Sequence, residues 1–203
     1  MKIYGHPMST CTRKVLMTLA ETNTPYDLTV VDFATAEHKQ PAHLARQPFG
    51  QVPTLDDDGF TLYESRAMCR YINEKANGGL MPNDMRKRAI AEQWISIETS
   101  NFSGAAMKFI YQHVFHRPQS DEVLATATQQ LETAFNVLEK QLTSNAFLTG
   151  DSFGLADICY MPYLEYAMGT PVKDLVAKVP HVAAWWSKIS ERPTWHKVAG
   201  RPA

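Results

Sequence analysis

The hydrophobic pattern changes character near residue 78, and that change limits what the chain can fold into. Upstream, short segments of different period alternate. Residues 2–4 are brief and β-compatible and run into Gly5-His6-Pro7. From about Thr10 to Thr22, Val15, Leu16, Leu19 and Ala20 recur at helical spacing, with Arg13, Lys14 and Glu21 on the other face. Residues 28–31 read as a second strand, and 32–47 as a polar loop. Residues 52–55 and 60–63 read as two strands joined by an acidic turn that Gly59 closes, and Ser65 opens a helix to about Ala76. Downstream, every pattern is helical: about 85–113, 121–143, from Leu155, 172–178, and a last stripe of Val182, Trp185, Trp186 and Ile189 that Arg192-Pro193 ends. The order β-α-β, β-β-α, then helices predicts a small α/β unit over 1–77, a linker over 78–84 rich in Gly, Pro and Asn, and an all-helical unit over 85–203.

Charge and cysteine content narrow the function classes. The formal net charge is −1, with eight basic against nine acidic residues before Asn77 and twelve against twelve from there on. A nucleic-acid binder carries a basic surplus, and none exists here. Cys11, Cys69 and Cys159 show neither a disulfide framework nor zinc-ligand spacing, so no metal is expected. No stretch approaches the ~18 apolar residues that span a bilayer, and no secretory leader is visible. The expected setting is cytoplasmic, without membrane insertion.

Chemistry-bearing residues cluster where strands turn into helices or loops. Ser9 and Thr10 precede the first helix, where free N–H groups and the positive end of the helix dipole favour an anion; either could instead merely cap the helix. His38 and Lys39 place two cationic-capable groups in a polar loop. In Gly50-Gln51-Val52-Pro53, the proline pushes Val52 into an extended conformation, and a cis Val52–Pro53 bond would leave the Val52 backbone free to pair with an extended peptide. Glu64 and Ser65 stand at a second strand-to-helix junction, where Ser65 suits an N-cap, the helix end suits a carboxylate and Glu64 suits an ammonium. Together these features suit a short ligand with two carboxylates, an amine and a thiol, and glutathione is such a ligand.

The chain resembles the cytosolic glutathione transferases, and within them the phi class. The residues that carry the resemblance are GHPMSTCTRKV, FATAEHK, PFGQVPTLDDDGFTLYESRA and RYI in the N-terminal part. FLTGDSFGLADICYMP and VPHVAAWWSKISERPTW carry it in the helical part. The resemblance implies a thioredoxin-like N-terminal domain with a mixed sheet, followed by an all-α domain. It implies that Ser9 is the catalytic residue, its hydroxyl stabilising the glutathione thiolate. It implies that His38 and Lys39 hold the glycine carboxylate and that Gln51 holds the tripeptide backbone. Val52, before a cis-Pro53, would pair with the cysteinyl part, and Glu64 with Ser65 would hold the γ-glutamyl end. Gly154 departs from the family, which usually has Ser or Thr at that helix start, whereas Asp157 is kept.

The activity so implied is conjugation of glutathione to hydrophobic electrophiles, a detoxifying transferase reaction, with hydroperoxide reduction beside it. Glutathione is then a co-substrate, no cofactor is expected, and a homodimer is. Met8, the loop after the second strand, and a helix carrying Phe102, Met107, Phe109, Tyr111 and Phe115 would face the electrophile, although such a stripe is more often core. Two alternatives stay open: thiol–disulfide chemistry at Cys11, or a non-catalytic carrier of glutathione or hydrophobic ligands.

Overall fold

A computed structural model describes residues 1–201. Its first part is a four-stranded mixed sheet of β1 (Lys2–Gly5), β2 (Asp27–Val30), β3 (Thr54–Asp57) and β4 (Phe60–Tyr63), in the order β2-β1-β3-β4. β1 and β2 are parallel because α1 (Thr10–Glu21) crosses over between them. β3 is antiparallel to both β1 and β4. Asp58 and Gly59, at φ of 53° and 91°, supply the left-handed pair that a two-residue hairpin requires. The connection from β2 to β3 is not a bare loop. It holds a 3-10 turn at Glu37–Lys39 and the short α2 (Pro41–Leu44), and α3 (Ser65–Ala76) follows β4.

The rest is helical, with α4 (Met85–Ile97), α5 (Ser103–His113), α6 (Asp121–Leu142), α7 (Leu155–Ala167), α8 (Val172–Val176), α9 (Pro180–Ser190) and α10 (Pro193–Ala199). The long pattern at 85–113 is broken by a π-helical turn at Glu98–Phe102, an insertion that re-aims side chains and often marks a functional site. Pro193 ends one helix and opens another, because a proline at the first turn lacks only an N–H that would be unpaired anyway. The segment 193–199 is therefore a further helix, anchored by the fully buried Trp195.

Helix α1 differs from the amphipathic reading. It packs against α3, α7 and α10, and both Arg13 and Lys14, expected on a solvent face, are buried. The pattern misled because this helix lies between the sheet and the helical layer and has almost no wet side.

Asp157, at the third position of α7, holds that helix start together. Its carboxylate accepts from the Leu148 N–H at 3.0 Å, the Gly154 N–H at 3.0 Å and the Trp185 Nε1–H at 2.9 Å. The departure at Gly154 has a packing cause. A Cβ there would stand 2.6 Å from the Leu80 carbonyl, which the Leu155 N–H contacts at 2.9 Å. The linker backbone docks where a serine side chain would be.

Two outcomes follow. Gly154→Ser, which restores a usual capping residue, lowers stability by about 1–3 kcal/mol in urea unfolding, because the overlap outweighs the cap. Burial pushes the Asp157 carboxyl up to about 6 despite the hydrogen bonds it accepts. The folded chain then binds a proton that the unfolded chain has already lost, so Asp157 makes stability decline as pH rises from about 4 to 6. In Asp157→Asn that part of the slope disappears, leaving an offset from wild type that becomes constant above about pH 7.

Candidate active site

Sheet register brings the candidate residues together. Tyr4 of β1 pairs with Thr54 of β3, and Thr54 pairs with Tyr63 of β4. One row of the sheet thus carries the end of β1, the start of β3 and the end of β4. The chain leaves this row toward Ser9 on β1, arrives through Val52-Pro53 at β3, and leaves β4 toward Glu64 and Ser65. Gly5 pairs with Val30, so the segment after β2 that leads to His38 and Lys39 departs from the same end.

Ser9 occupies the N-cap of α1, where its Oγ accepts from the Thr12 N–H at 3.2 Å. A hydroxyl oxygen used as an acceptor keeps its proton, so Ser9 caps the helix and still has an O–H to donate. The Thr10 and Cys11 N–H groups lie in the first turn beside it, where helical acceptors are lacking.

Glu64 rather than Ser65 is the N-cap of α3, and no side chain caps that helix. Glu64 adopts φ 71° and ψ 102°, which turns the chain sharply from β4 into α3. Met68 is the residue whose N–H reaches the Glu64 carbonyl, at 2.9 Å, so the N–H groups of Ser65, Arg66 and Ala67 precede the helical ladder. Glu64 is exposed and Ser65 is buried.

Val52 and Pro53 lie outside β3, which begins at Thr54, since a proline has no N–H for the ladder. The Val52–Pro53 bond is cis. Gln51 is held by its backbone: its N–H donates to Gln47 Oε1 at 3.1 Å, and its carbonyl meets His43 Nε2 at 2.7 Å. Lys39 Nζ donates to the Phe49 carbonyl at 3.0 Å and remains exposed. Gly50, at φ 60°, is needed here, because a Cβ would stand 2.8 Å from both the His38 carbonyl and the Lys39 ammonium. The His38 ring meets Phe33 edge-on at 5.1 Å, and Phe33 stacks on His6 at 4.7 Å. His38 Nδ1 is buried without a partner among the described residues, and burial, with Lys39 and His43 nearby, lowers its pKa.

Cys11 is half-buried, with its thiol 4.0 Å from the Tyr163 hydroxyl. Phe102 and Phe109, from the aromatic stripe, are core. Tyr111 and Phe115 are partly exposed, and Phe115 packs edge-on against Tyr166 at 5.7 Å. Tyr166 escaped the sequence reading: nothing in the α7 pattern distinguishes it from its buried neighbours. Two open hollows, of about 680 Å³ between α5 and α6 and about 560 Å³ beside the 78–84 segment, share no lining residue with this site.

A buried ionic cluster lies beneath the two helix starts. Arg66 donates through Nε to Glu98 Oε2 at 2.8 Å, Lys14 Nζ lies 3.7 Å from the same oxygen, and Lys14 Nζ donates to the Tyr163 hydroxyl at 2.9 Å. Lys14 and Glu98 are wholly buried. Burial works to discharge the Lys14 ammonium, but the acidic groups around it, Cys11 and Glu98 foremost, overcome this and raise its pKa above the lysine range. The Arg66 guanidinium is raised in the same way, with Glu98 prevailing over burial.

Residues 1–74 match the family model for the glutathione S-transferase N-terminal domain and residues 103–193 that for the glutathione S-transferase C-terminal domain. The chain belongs to the glutathione S-transferase family. Its similar relatives include plant phi-class proteins. The probable glutathione S-transferase GSTF1 of Oryza sativa subsp. japonica is 34% identical, over 98% of this chain and 95% of the relative. A glutathione S-transferase of Hyoscyamus muticus is 36% identical, over 97% of this chain and 96% of its own length. The crystal structure of glutathione transferase F7 from Populus trichocarpa superposes with a TM-score of 0.93 at 37% identity, covering 98% of this chain and 97% of that one. Glutathione S-transferase I from maize, solved in complex with an atrazine glutathione conjugate, gives a TM-score of 0.90 at 34% identity, over 98% of this chain and 96% of its own.

Removing the Glu98 charge leaves the buried Lys14 and the partly buried Arg66 without a counter-ion. Glu98→Gln therefore lowers unfolding free energy by about 3–5 kcal/mol, and adding Lys14→Met recovers part of that loss. Urea titrations of the single and double variants measure both.

Proposed function

We propose that the protein joins the thiolate of reduced glutathione to hydrophobic electrophiles, with Ser9 as the catalytic hydroxyl. What carries the proposal is the convergence at one sheet end of a Ser9 O–H still free to donate with the two helix starts, at Thr10 and Ser65. A free thiol has a pKa near ~8.5, so at neutral pH most glutathione is protonated and weakly nucleophilic. The Ser9 hydroxyl and the first-turn N–H groups of α1 stabilise the thiolate, and the thiol proton passes to solvent. The sulfur then forms a bond to the electrophilic carbon as the leaving group departs with its electron pair. With an organic hydroperoxide, the thiolate attacks oxygen, releasing the alcohol and a sulfenic acid that a second glutathione converts to glutathione disulfide and water.

Glutathione is read as lying along the shared sheet end. The γ-glutamyl carboxylate meets the start of α3 at Ser65 and its ammonium meets Glu64. The cysteinyl part pairs with the Val52 backbone before Pro53, and Gln51 contacts the tripeptide chain. The glycine carboxylate faces Lys39 and His38. Met8, Phe33, Tyr111, Phe115 and Tyr166 form the apolar wall for the electrophile. The division at 1–77, 78–84 and 85–203, a homodimeric assembly, a cytoplasmic setting and the absence of any cofactor complete the proposal. Among the described residues, no helix is long and apolar enough to cross a membrane. Neither alternative gains support: Cys11 sits against Tyr163, and Ser9 keeps the proton that a mere carrier would not need.

Ser9→Ala lowers kcat/KM for a chloronitroaromatic electrophile by about 10- to 100-fold at pH 7. The gap narrows above about pH 9, where glutathione ionises unaided. Equal activity of Ser9→Ala and wild type at pH 7 contradicts the assignment. Retention on immobilised glutathione without turnover of any electrophile would instead favour the carrier.

A further inference from the structure

The segment leading into Ser9 is exposed, since both Pro7 and Met8 face solvent. Even so, each of its peptide groups is held. The Pro7 carbonyl accepts from Arg13 Nε at 2.8 Å, and the Met8 N–H donates to His6 Nδ1 at 3.1 Å. The Ser9 N–H donates to the His6 carbonyl at 2.9 Å. The Met8 carbonyl, which belongs to the same peptide unit as the Ser9 nitrogen, accepts from the Tyr166 hydroxyl at 2.9 Å.

Three of these ties are local, made among residues 6 to 13: two from the segment's own backbone to His6 and one from Arg13 in the first turn of α1. The fourth comes from the last turn of α7, 158 residues along the chain. Among the described residues, Tyr166 is the group of the helical domain that hydrogen-bonds the segment, and its hydroxyl also lies 3.7 Å from Met8 Sδ. The bond has one sense, because a carbonyl only accepts and so commits the phenol proton to Met8. Tyr166 is itself fixed. The Arg13 guanidinium lies 4.7 Å from its ring centroid, and Phe115 packs on it edge-on at 5.7 Å. Burial and Glu165 raise the Tyr166 pKa against the opposing Arg13, so the hydroxyl remains a donor.

We propose that Tyr166 is a positioning residue for the transferase reaction: its hydroxyl pins the Met8–Ser9 peptide to the helical domain and so aims the Ser9 hydroxyl at the thiolate. The inference rests on the reading of Ser9 as the catalytic hydroxyl. Catalysis by a donated hydrogen bond depends on placement within a fraction of an ångström, and a segment free to swing on local ties alone loses that placement. No local pattern points to this role, because Tyr166 and Met8 are brought together by the docking of α7 on α1.

Tyr166→Phe removes the hydroxyl and keeps the ring against Arg13 and Phe115. In steady-state conjugation with a chloronitroaromatic electrophile, kcat falls by about three- to tenfold. The KM for glutathione stays within about twofold, since no glutathione contact is removed. The melting midpoint stays within about 2 °C. Hydrogen–deuterium exchange at the Met8 and Ser9 amides speeds up by about tenfold, while exchange in the body of α1 is unchanged. An unchanged kcat overturns the proposal, whatever the exchange shows. So does a fall in kcat accompanied by a matching drop in melting midpoint and faster exchange throughout α1 and α7, which marks a merely structural contact. So does wild-type exchange at Met8 and Ser9. A parallel Ser9→Ala chain separates the two claims. If it turns over like wild type, the Ser9 reading fails, while the exchange measurement still reports whether Tyr166 holds the segment.

Discussion

Glu98 is a carboxylate with no access to water, placed between a guanidinium on α3 and an ammonium on α1. Neither cation has another carboxylate within ion-pair distance among the described residues, so Glu98 fixes where both helices lie relative to the π-helical turn that carries it. Arg66 stands one residue after Ser65, and Lys14 five residues after Ser9. Both helix starts at the proposed glutathione site are therefore fastened from beneath to one residue of the helical domain. Tyr163 on α7 extends the cluster by accepting from Lys14. Such a cluster is costly to desolvate and tolerant of few geometries, which suits a role in fixing relative position more than in adding stability.

Above that cluster, backbone does much of the work. The sheet register puts three chain segments in one row, and the two helix starts turn unpaired N–H groups toward the same end. A zwitterionic tripeptide needs little more than this, and the near-neutral charge of the chain agrees with it. A few groups placed locally, as proposed for Lys39 and Glu64, serve better than a surplus.

The fold was legible because periodicity is a local property. The strands, the hairpin turn at Asp58-Gly59 and the helices at Thr10 and Ser65 each follow from spacing and turn chemistry. The readings that failed were those in which tertiary packing overrode a local rule. Arg13 and Lys14 looked solvated because cations usually are, and here a carbonyl, an aromatic face and Glu98 take the place of water. Ser65 looked like a cap, but Glu64 takes that position at positive φ. Gly154 is the helix start the sequence pointed to, and the reason for glycine there, the Leu80 carbonyl 74 positions earlier, is tertiary.

By itself the sequence determined the two-part architecture and the candidate residues Ser9, His38, Lys39, Gln51, Val52, Pro53, Glu64 and Ser65. Strand period, helix period and turn residues act over a few positions, and family motifs are written in contiguous letters. Only the tertiary structure decided that Lys14, Arg66 and Glu98 form one ionic cluster and that Tyr166 reaches Met8. Those arrangements depend on distances between residues far apart in the chain. Packing sets such distances, and no local pattern encodes them.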